Sequence, residues 1–158
     1  MEGFSKLSLF LLRITIGWFY LYAGITKVID PTFSAEGYLK TAKTFTAFYG
    51  WLASPGILPL TNFISEWGLT LLGISLILGI GVRLSSTLGA LLMLLFYLPI
   101  LDFPYPNAHA FLVDEHIIYI FVLLYFAAIR AGRVYGLENW CSNLPICRKL
   151  PQWRNWLG

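Results

Sequence analysis

Charged residues are scarce in this 158-residue chain, because only 12% of its positions carry Asp, Glu, Lys or Arg. Another 58% are hydrophobic without counting the 14 glycines, whereas a soluble domain is roughly 25% charged. So few charges cannot cover a water-soluble monomer, and such high hydrophobicity excludes disorder. The net charge is only +3, with no long basic run, so we expect no nucleic-acid partner. The lipid bilayer is the expected solvent.

Cysteine is also rare, and metal-binding patterns are missing. The chain has two cysteines, Cys141 and Cys147, whose C-x5-C spacing is typical neither of a zinc site nor of a C-x-x-C redox motif. It contains no H-E-x-x-H or E-x-x-H pattern, so we predict no bound metal. The redox state of the two thiols stays open, since it depends on which side of the membrane they lie.

Long apolar runs are present instead. A membrane-spanning helix needs about 20 mostly apolar residues, and the sequence predicts such helices over residues 7–29, 62–80, 84–101 and 111–130. The predicted fold class is therefore an all-α integral membrane four-helix bundle forming a single domain. An outer loop covers residues 31–59, and a cytoplasmic tail covers residues 131–158.

The distribution of basic residues predicts the orientation. Basic residues favour the cytoplasmic side, and with four spans both termini share one side. That side holds most of them, namely Lys6, Arg13, Arg83, Arg130, Arg133, Arg148, Lys149 and Arg154, against Lys27, Lys40 and Lys43 on the other. We therefore expect both termini in the cytoplasm.

One face of the first predicted helix carries two cations and two glycines. Arg13, Gly17, Tyr20, Gly24 and Lys27 recur at helical spacing, so they share that face. The glycines allow another helix to approach closely. Either the two cations extend to the headgroups on opposite sides, or the face lines a functional interior.

Two further ionisable residues lie inside predicted spans. Glu66 is at a depth similar to that of Lys27, so it either pairs with Lys27 or handles protons. His116 follows Asp114, which is a plausible helix N-cap, and it can share a face with Tyr119. His116 is either a proton relay or a hydrogen-bonded interfacial side chain.

Aromatic residues make up 17% of the chain. Most of the tryptophans fall near predicted membrane interfaces, as is usual for such residues. Alternatively, four of the aromatic side chains line a flat pocket for a lipid-like ring such as a quinone. They are Tyr20, Trp67, Tyr97 and Tyr119.

Several motifs in order resemble the DoxX/DoxD family of small membrane proteins. They are Leu12-Arg13, Gly17-Trp-Phe-Tyr-Leu-Tyr-Ala-Gly24 with Lys27, Asp30-Pro-x-Phe-Ser-Ala-Glu-Gly-Tyr38, the group Glu66, Gly68, Gly73 and Arg83, His116 with Tyr119, and Ala131-Gly-Arg-Val-Tyr-Gly-Leu-Glu138. In the last motif Glu138 stands where the family commonly has Asp.

The resemblance implies a four-helix bundle in the plasma membrane of a prokaryote. It also implies a function like that of the membrane subunit of thiosulfate:quinone oxidoreductase, which pairs with a DoxA subunit outside the cytoplasm. A quinone would then enter between helices near the outer leaflet. Its catalytic groups would be Glu66, His116 and Lys27, and its binding groups Tyr20, Trp67, Tyr119, Arg13 and Arg83.

Two alternatives to the enzyme remain open. One is a non-enzymatic scaffold whose outer loop docks a redox partner, with its polar residues paired internally. The other is a protein that binds or transports a lipid or small molecule, with Arg13 and Arg83 on the headgroup. Small residues at helical spacing, Ser75 with Gly79 and Ser85 with Gly89, also permit a homo-oligomer.

Overall fold

A computed structural model describes residues 3–138, and within that range the chain is helical with irregular connections. The α-helices are α1 (Gly3–Ile29), α2 (Glu36–Lys40), α3 (Thr46–Leu52), α4 (Leu58–Leu78), α5 (Val82–Ile100) and α6 (Glu115–Ala128), and a 3-10 turn over Ala131–Arg133 follows them. The all-α prediction is confirmed. Cys141, Cys147 and most of the predicted tail lie outside the described residues.

Three of the described helices, α1, α4 and α5, are long and apolar enough to cross a membrane. The fourth, α6, has only 14 residues, and at about 1.5 Å per residue it is roughly 21 Å long. The span predicted over residues 111–130 is therefore too long for the helix itself. Asp114 begins the helix as its N-cap, and Arg130, at φ 53°, adopts a left-handed conformation just beyond its end.

The predicted outer loop contains the two short helices α2 and α3. Their buried side chains form a small cluster of their own, made of Ala35, Leu39, Tyr49 and Ala53. Helices this short lack stability by themselves, so tertiary contacts must hold them. The segment from α2 to α3 (residues 36–52) is therefore an ordered cap rather than an open loop.

That cap docks on the end of α5, where a proline interrupts the helix. Pro99 has no N–H, so the carbonyl of Leu95, four residues earlier, loses its helical partner. The hydroxyl of Tyr49 donates to that carbonyl at 3.0 Å, and the hydroxyl of Tyr38 donates to the carbonyl of Phe96. The bond from Tyr49 thus replaces one that α5 cannot make internally, and the bond from Tyr38 fixes α2 to the same turn of α5.

Glycines set the close contact between α1 and α4. A Cβ atom on Gly24 would lie 2.4 Å from the backbone nitrogen of Thr70, and one on Gly73 would lie 2.3 Å from that of Leu21. These distances are too short for any side chain, so the two backbones touch there. The prediction that Gly24 allows another helix to approach closely is confirmed, and Gly73 has the same role on α4.

Arg13 ties the first half of α1 to the segment that follows α6. Its side chain is fully buried, and Nη1 donates to the carbonyls of Ala131 at 2.5 Å and Val134 at 3.1 Å. Nη2 donates to the carbonyl of Tyr135 at 3.2 Å. Arg13 therefore braces the helix assembly and does not extend to the headgroups.

Each long helix packs on the next in the order α1, α4, α5, α6. Among the described residues, α1 and α6 meet mainly through side chains, with Phe19 and Tyr20 of α1 against Tyr119 of α6. The ring of Tyr119 lies 5.0 Å from that of Phe19 and 5.8 Å from that of Tyr20, measured between centroids. We refer to this three-ring contact as the aromatic seam.

Candidate functional site

A cavity of about 570 Å³ lies between the α2–α3 cap, the end of α1 and the start of α6. Its volume falls within the range of roughly 300–1,000 Å³ typical of small-molecule sites. Apolar and ionisable side chains line it together, and they include Lys27, Phe33, Tyr38, Ser65, Phe96, Ile100, Asp114, Glu115 and His116. We call it the main cavity.

A smaller cavity of about 160 Å³ continues from the main one along α1 and α6. Four residues border both, namely Lys27, Phe96, Glu115 and His116. The smaller cavity reaches all three rings of the aromatic seam. The structure thus brings Lys27, His116, Tyr20 and Tyr119 of the predicted site to two cavities that share part of their walls.

The imidazole of His116 is held by the residue that begins its helix. Asp114 Oδ1 accepts hydrogen bonds from the backbone N–H groups of His116 at 3.0 Å and Ile117 at 3.3 Å, which makes Asp114 the N-cap of α6. Its other oxygen lies 2.8 Å from Nδ1 of His116. A carboxylate only accepts, so Nδ1 carries the hydrogen and Nε2 stays available to a ligand.

The two partners of this pair differ in exposure. The side chain of Asp114 is 1% exposed, whereas that of His116 is 20% exposed. The carboxylate is therefore shielded behind the imidazole. His116 is the member of the pair that a bound molecule can reach.

Lys27 supplies a cation at the border of both cavities. Its Nζ donates to the carbonyl of Ala23 at 2.7 Å and lies 5.8 Å from the ring centroid of Phe33. An ammonium group has three N–H donors, and this is the single hydrogen bond that Nζ makes within residues 3–138. Two donors therefore remain for a ligand.

Tyr20 places a hydroxyl at the inner end of the site. The residue is 1% exposed and lines the smaller cavity, and its hydroxyl has no hydrogen-bond partner among the described residues. A buried hydroxyl without a partner costs about 1–3 kcal/mol. Such a group points to a ligand or an ordered water in this space.

Tyr38 borders the main cavity from the cap. Burial raises the pKa of Tyr38 to about 12. Its hydroxyl therefore stays protonated at physiological pH and keeps donating to the carbonyl of Phe96. The wall formed by α2 is thus fixed to α5 and does not depend on pH.

Four predicted site residues do not line either cavity. Glu66 is half-buried on α4, Trp67 is 39% exposed, and Arg83 is exposed in the first turn of α5. Arg13 is occupied by backbone carbonyls.

Glu66 also makes no ion pair with Lys27 in the part of the chain that the structure describes. Lys27 lines both cavities, whereas Glu66 lines neither. Equal depth did not specify which side of a helix each residue occupies. Tyr97, a further predicted pocket residue, instead donates its hydroxyl to the carbonyl of Leu112 at 2.5 Å.

Sequence reasoning also missed several lining residues. It interpreted Asp114 as an N-cap alone, although the Asp-x-His spacing at a helix start places a carboxylate beside an imidazole. Tyr38, Ser65 and Phe96 come from three different elements, and no local pattern connects them. Only the docking of the cap on α5 brings them to one wall.

Comparison with known proteins gives one match. The DoxX family model matches residues 8–101, a range that begins inside α1, contains α2 to α5 and ends before His116. No curated protein and no solved structure matches the chain. The matched range covers more than half of the sequence and includes the glycine contacts, Lys27 and the cap, so this chain is a membrane protein that belongs to the DoxX family.

Proposed function

We propose that this DoxX protein is a quinone-linked redox subunit whose quinone headgroup binds in the main cavity. The observation that carries the proposal is the arrangement around that cavity. A cation, Lys27, and a carboxylate-held imidazole, His116, border a ligand-sized space with aromatic walls. Flat rings with polar oxygens at their edges match that combination of surfaces.

The residues present fit such a group. Phe33 and Phe96 offer apolar faces to a ring. Lys27 offers N–H donors to the oxygens of that ring, and His116 donates from Nε2 in its protonated form. The buried Tyr20 hydroxyl, which has no partner among the described residues, supplies a further donor on the inner side. Glu66 lies outside this set, so we assign the proton-handling role to His116 and Asp114.

When bound, a quinone accepts two electrons and two protons as it is reduced. Lys27 would donate a hydrogen bond to a ligand oxygen and favour negative charge there. His116 would hold a proton at Nε2 and pass it to a ligand oxygen, while Asp114 would stabilise the protonated ring through Nδ1. The proposal needs no other acid, because the remaining proton can come from solvent.

The electron donor belongs to the same proposal. No cysteine lies among residues 3–138, which line the two cavities, so we assign the donor role to a substrate or a partner. Following the family resemblance, we assign this role to thiosulfate. Two thiosulfate ions release two electrons as a sulfur–sulfur bond joins them, which balances the reduction of one quinone. An extracytoplasmic subunit docked on the cap would present the donor.

We also propose a specific placement in the membrane. α6 and the residues flanking it complete a fourth crossing, and both termini face the cytoplasm of a prokaryotic cell. After Cys141→Ser and Cys147→Ser, single cysteines at His109 and Tyr135, both exposed, should react with membrane-impermeant reagents from opposite sides. Labelling of both from one side would mean that α6 does not cross.

Activity can be tested with the full chain in lipid nanodiscs. Thiosulfate and a short-chain quinone are supplied, with any co-purifying subunit retained, and quinone reduction is followed by absorbance. His116→Gln should lower the rate by roughly a hundredfold or more. His109→Gln is the matched control, because His109 is exposed and lies outside both cavities. Equal rates in the two variants would remove His116 from the site.

A scaffold function without catalysis is a second candidate, favoured by one observation. The α3 helix exposes Phe48 and Trp51, whose rings lie 6.1 Å apart between centroids. Such an aromatic pair can dock a partner or the membrane interface. A protein that retains its partner but binds no quinone would favour this function over the redox one.

A further inference from the structure

We infer that the aromatic seam is a lateral portal through which the tail of a lipid-soluble ligand leaves the site between α1 and α6. The inference rests on the proposed function for the headgroup. It adds the route of access and a chemical class, a ring that carries a long apolar tail. It also assigns a gating role to Phe19, which the sequence did not single out.

The contacts that join the long helices differ in kind. α1 is locked to α4 by direct backbone contact at Gly24 and Gly73, and α5 is packed along α6. Within residues 3–138, the aromatic seam joins α1 to α6, whereas Arg13 joins α1 to the segment that follows α6. A passage between α1 and α6 at the level of the seam therefore requires these aromatic side chains to move.

Phe19 lies between the smaller cavity and the outside of the helix assembly. Phe19 lines the smaller cavity and is also 46% exposed on the outside of the helix assembly. Its ring therefore has the site on one side and the bilayer on the other. Tyr119, the ring nearest to it across the seam, is partly buried. The wall is one side chain thick.

Polarity decreases from the main cavity toward the seam. The ionisable groups Lys27, Glu115 and His116 lie where the two cavities adjoin, and Asp114 lies in the main cavity. The smaller cavity adds only uncharged side chains, namely Phe19, Tyr20, Ala23, Leu69, Met93 and Tyr119. The only polar atoms among those added side chains are the two tyrosine hydroxyls and a thioether sulfur. A ligand with a polar head and an apolar tail matches this gradient. A fully water-soluble ligand has no apolar tail to place at the seam.

The test compares two quinones of the same headgroup in nanodiscs, one without a tail and one with a long isoprenoid tail. Association rates are measured by stopped-flow quenching of tryptophan fluorescence. Phe19→Trp should slow association of the tailed quinone several-fold, because the larger ring blocks the seam. The tailless quinone can use the mouth of the main cavity, so its rate should stay unchanged.

Two further variants make the result decisive. Phe121→Trp adds the same ring to α6 at a residue that is 68% exposed and lines neither cavity, so both rates should match the parent. Phe19→Ala should speed association of the tailed quinone. Equal effects of Phe19→Trp on both quinones, or no effect on either, would overturn the portal while leaving headgroup binding established. A parent protein that binds neither quinone would overturn the proposed function itself.

Discussion

Asp114 Oδ2 lies 2.8 Å from His116 Nδ1, while Asp114 Oδ1 caps the helix on which His116 stands. One carboxylate thus fixes both the start of α6 and the orientation of the imidazole that faces the main cavity. Folding and ligand chemistry are coupled at this residue. Substitutions of Asp114 that keep the helix cap but change the contact with the imidazole distinguish the two roles.

Asp114→Asn should keep most of the cap but weaken the orientation of the imidazole. Asp114→Ala should lose both and destabilise the protein by about 1 kcal/mol. We expect the melting temperature to fall in Asp114→Ala and to change little in Asp114→Asn, while quinone reduction falls in both. Full activity of Asp114→Asn at unchanged stability would show that the pair does not assist the reaction.

Arg13→Met should be strongly destabilising, because it removes the donor from the carbonyls of Val134 and Tyr135 and one of two donors from that of Ala131. Each buried carbonyl left unpaired costs about 1–3 kcal/mol. Arg13→Lys should restore only part of the stability, since an ammonium lacks the planar fork of the guanidinium. Thermal unfolding in detergent measures both. Lys6→Met, an exposed cation on the same helix, should melt like the parent.

The glycines of α4 should differ in their tolerance of a side chain. Gly73→Ala places a Cβ atom 2.3 Å from the backbone nitrogen of Leu21, whereas Gly68→Ala meets nothing closer than 3.5 Å. We expect a large loss of thermal stability for Gly73→Ala. Gly68→Ala should be neutral or slightly stabilising, because alanine favours helix. Similar melting temperatures for the two variants would contradict the α1–α4 contact.

Glu138 makes stability depend on pH. Burial raises the pKa of Glu138 despite its hydrogen bond from Arg133 Nε at 3.1 Å. A raised folded-state pKa favours the protonated form, so the parent loses stability as pH rises above the ordinary glutamate value. Glu138→Gln should therefore stabilise the protein at neutral pH, and the difference should vanish at low pH.

The control for this substitution is Glu36→Gln. Glu36 pairs with Lys40 at 2.5 Å on the exposed face of α2, where such a pair contributes little. We expect no gain in melting temperature from Glu36→Gln at neutral pH. A loss of stability in Glu138→Gln at neutral pH would mean that the charged form of Glu138 is the favoured one.

The sequence predicted the residues along α1 well, because helical spacing alone determines which of them share a face. Arg13, Gly17, Tyr20 and Gly24 are all buried in the structure. The lengths of the apolar runs also predicted α4 and α5 to within a few residues. The length of α6 was overestimated, because apolar residues continue on both sides of the helix past its actual ends.

The sequence did not predict which side of α4 carries Glu66 relative to Lys27, nor that the outer loop folds into α2 and α3. The depth of Glu66 matched that of Lys27, but depth does not specify the direction in which a side chain leaves its helix. α2 and α3 are short, and they exist because Tyr38 and Tyr49 find carbonyls near Pro99 of α5. Those partners lie more than forty residues away, and local pattern carries no information on such contacts.

The central claim is that Lys27 and His116 bind one quinone headgroup, and a binding titration tests it most directly. A short-chain quinone is titrated into the full chain in nanodiscs, with Lys27→Met and His116→Gln beside the controls Lys40→Met and His109→Gln. The account predicts saturable binding in the parent and in both controls. Each site variant should weaken it by roughly ten- to a hundredfold, as expected for one lost hydrogen bond to a charged group. Equal affinity in all five proteins would contradict it.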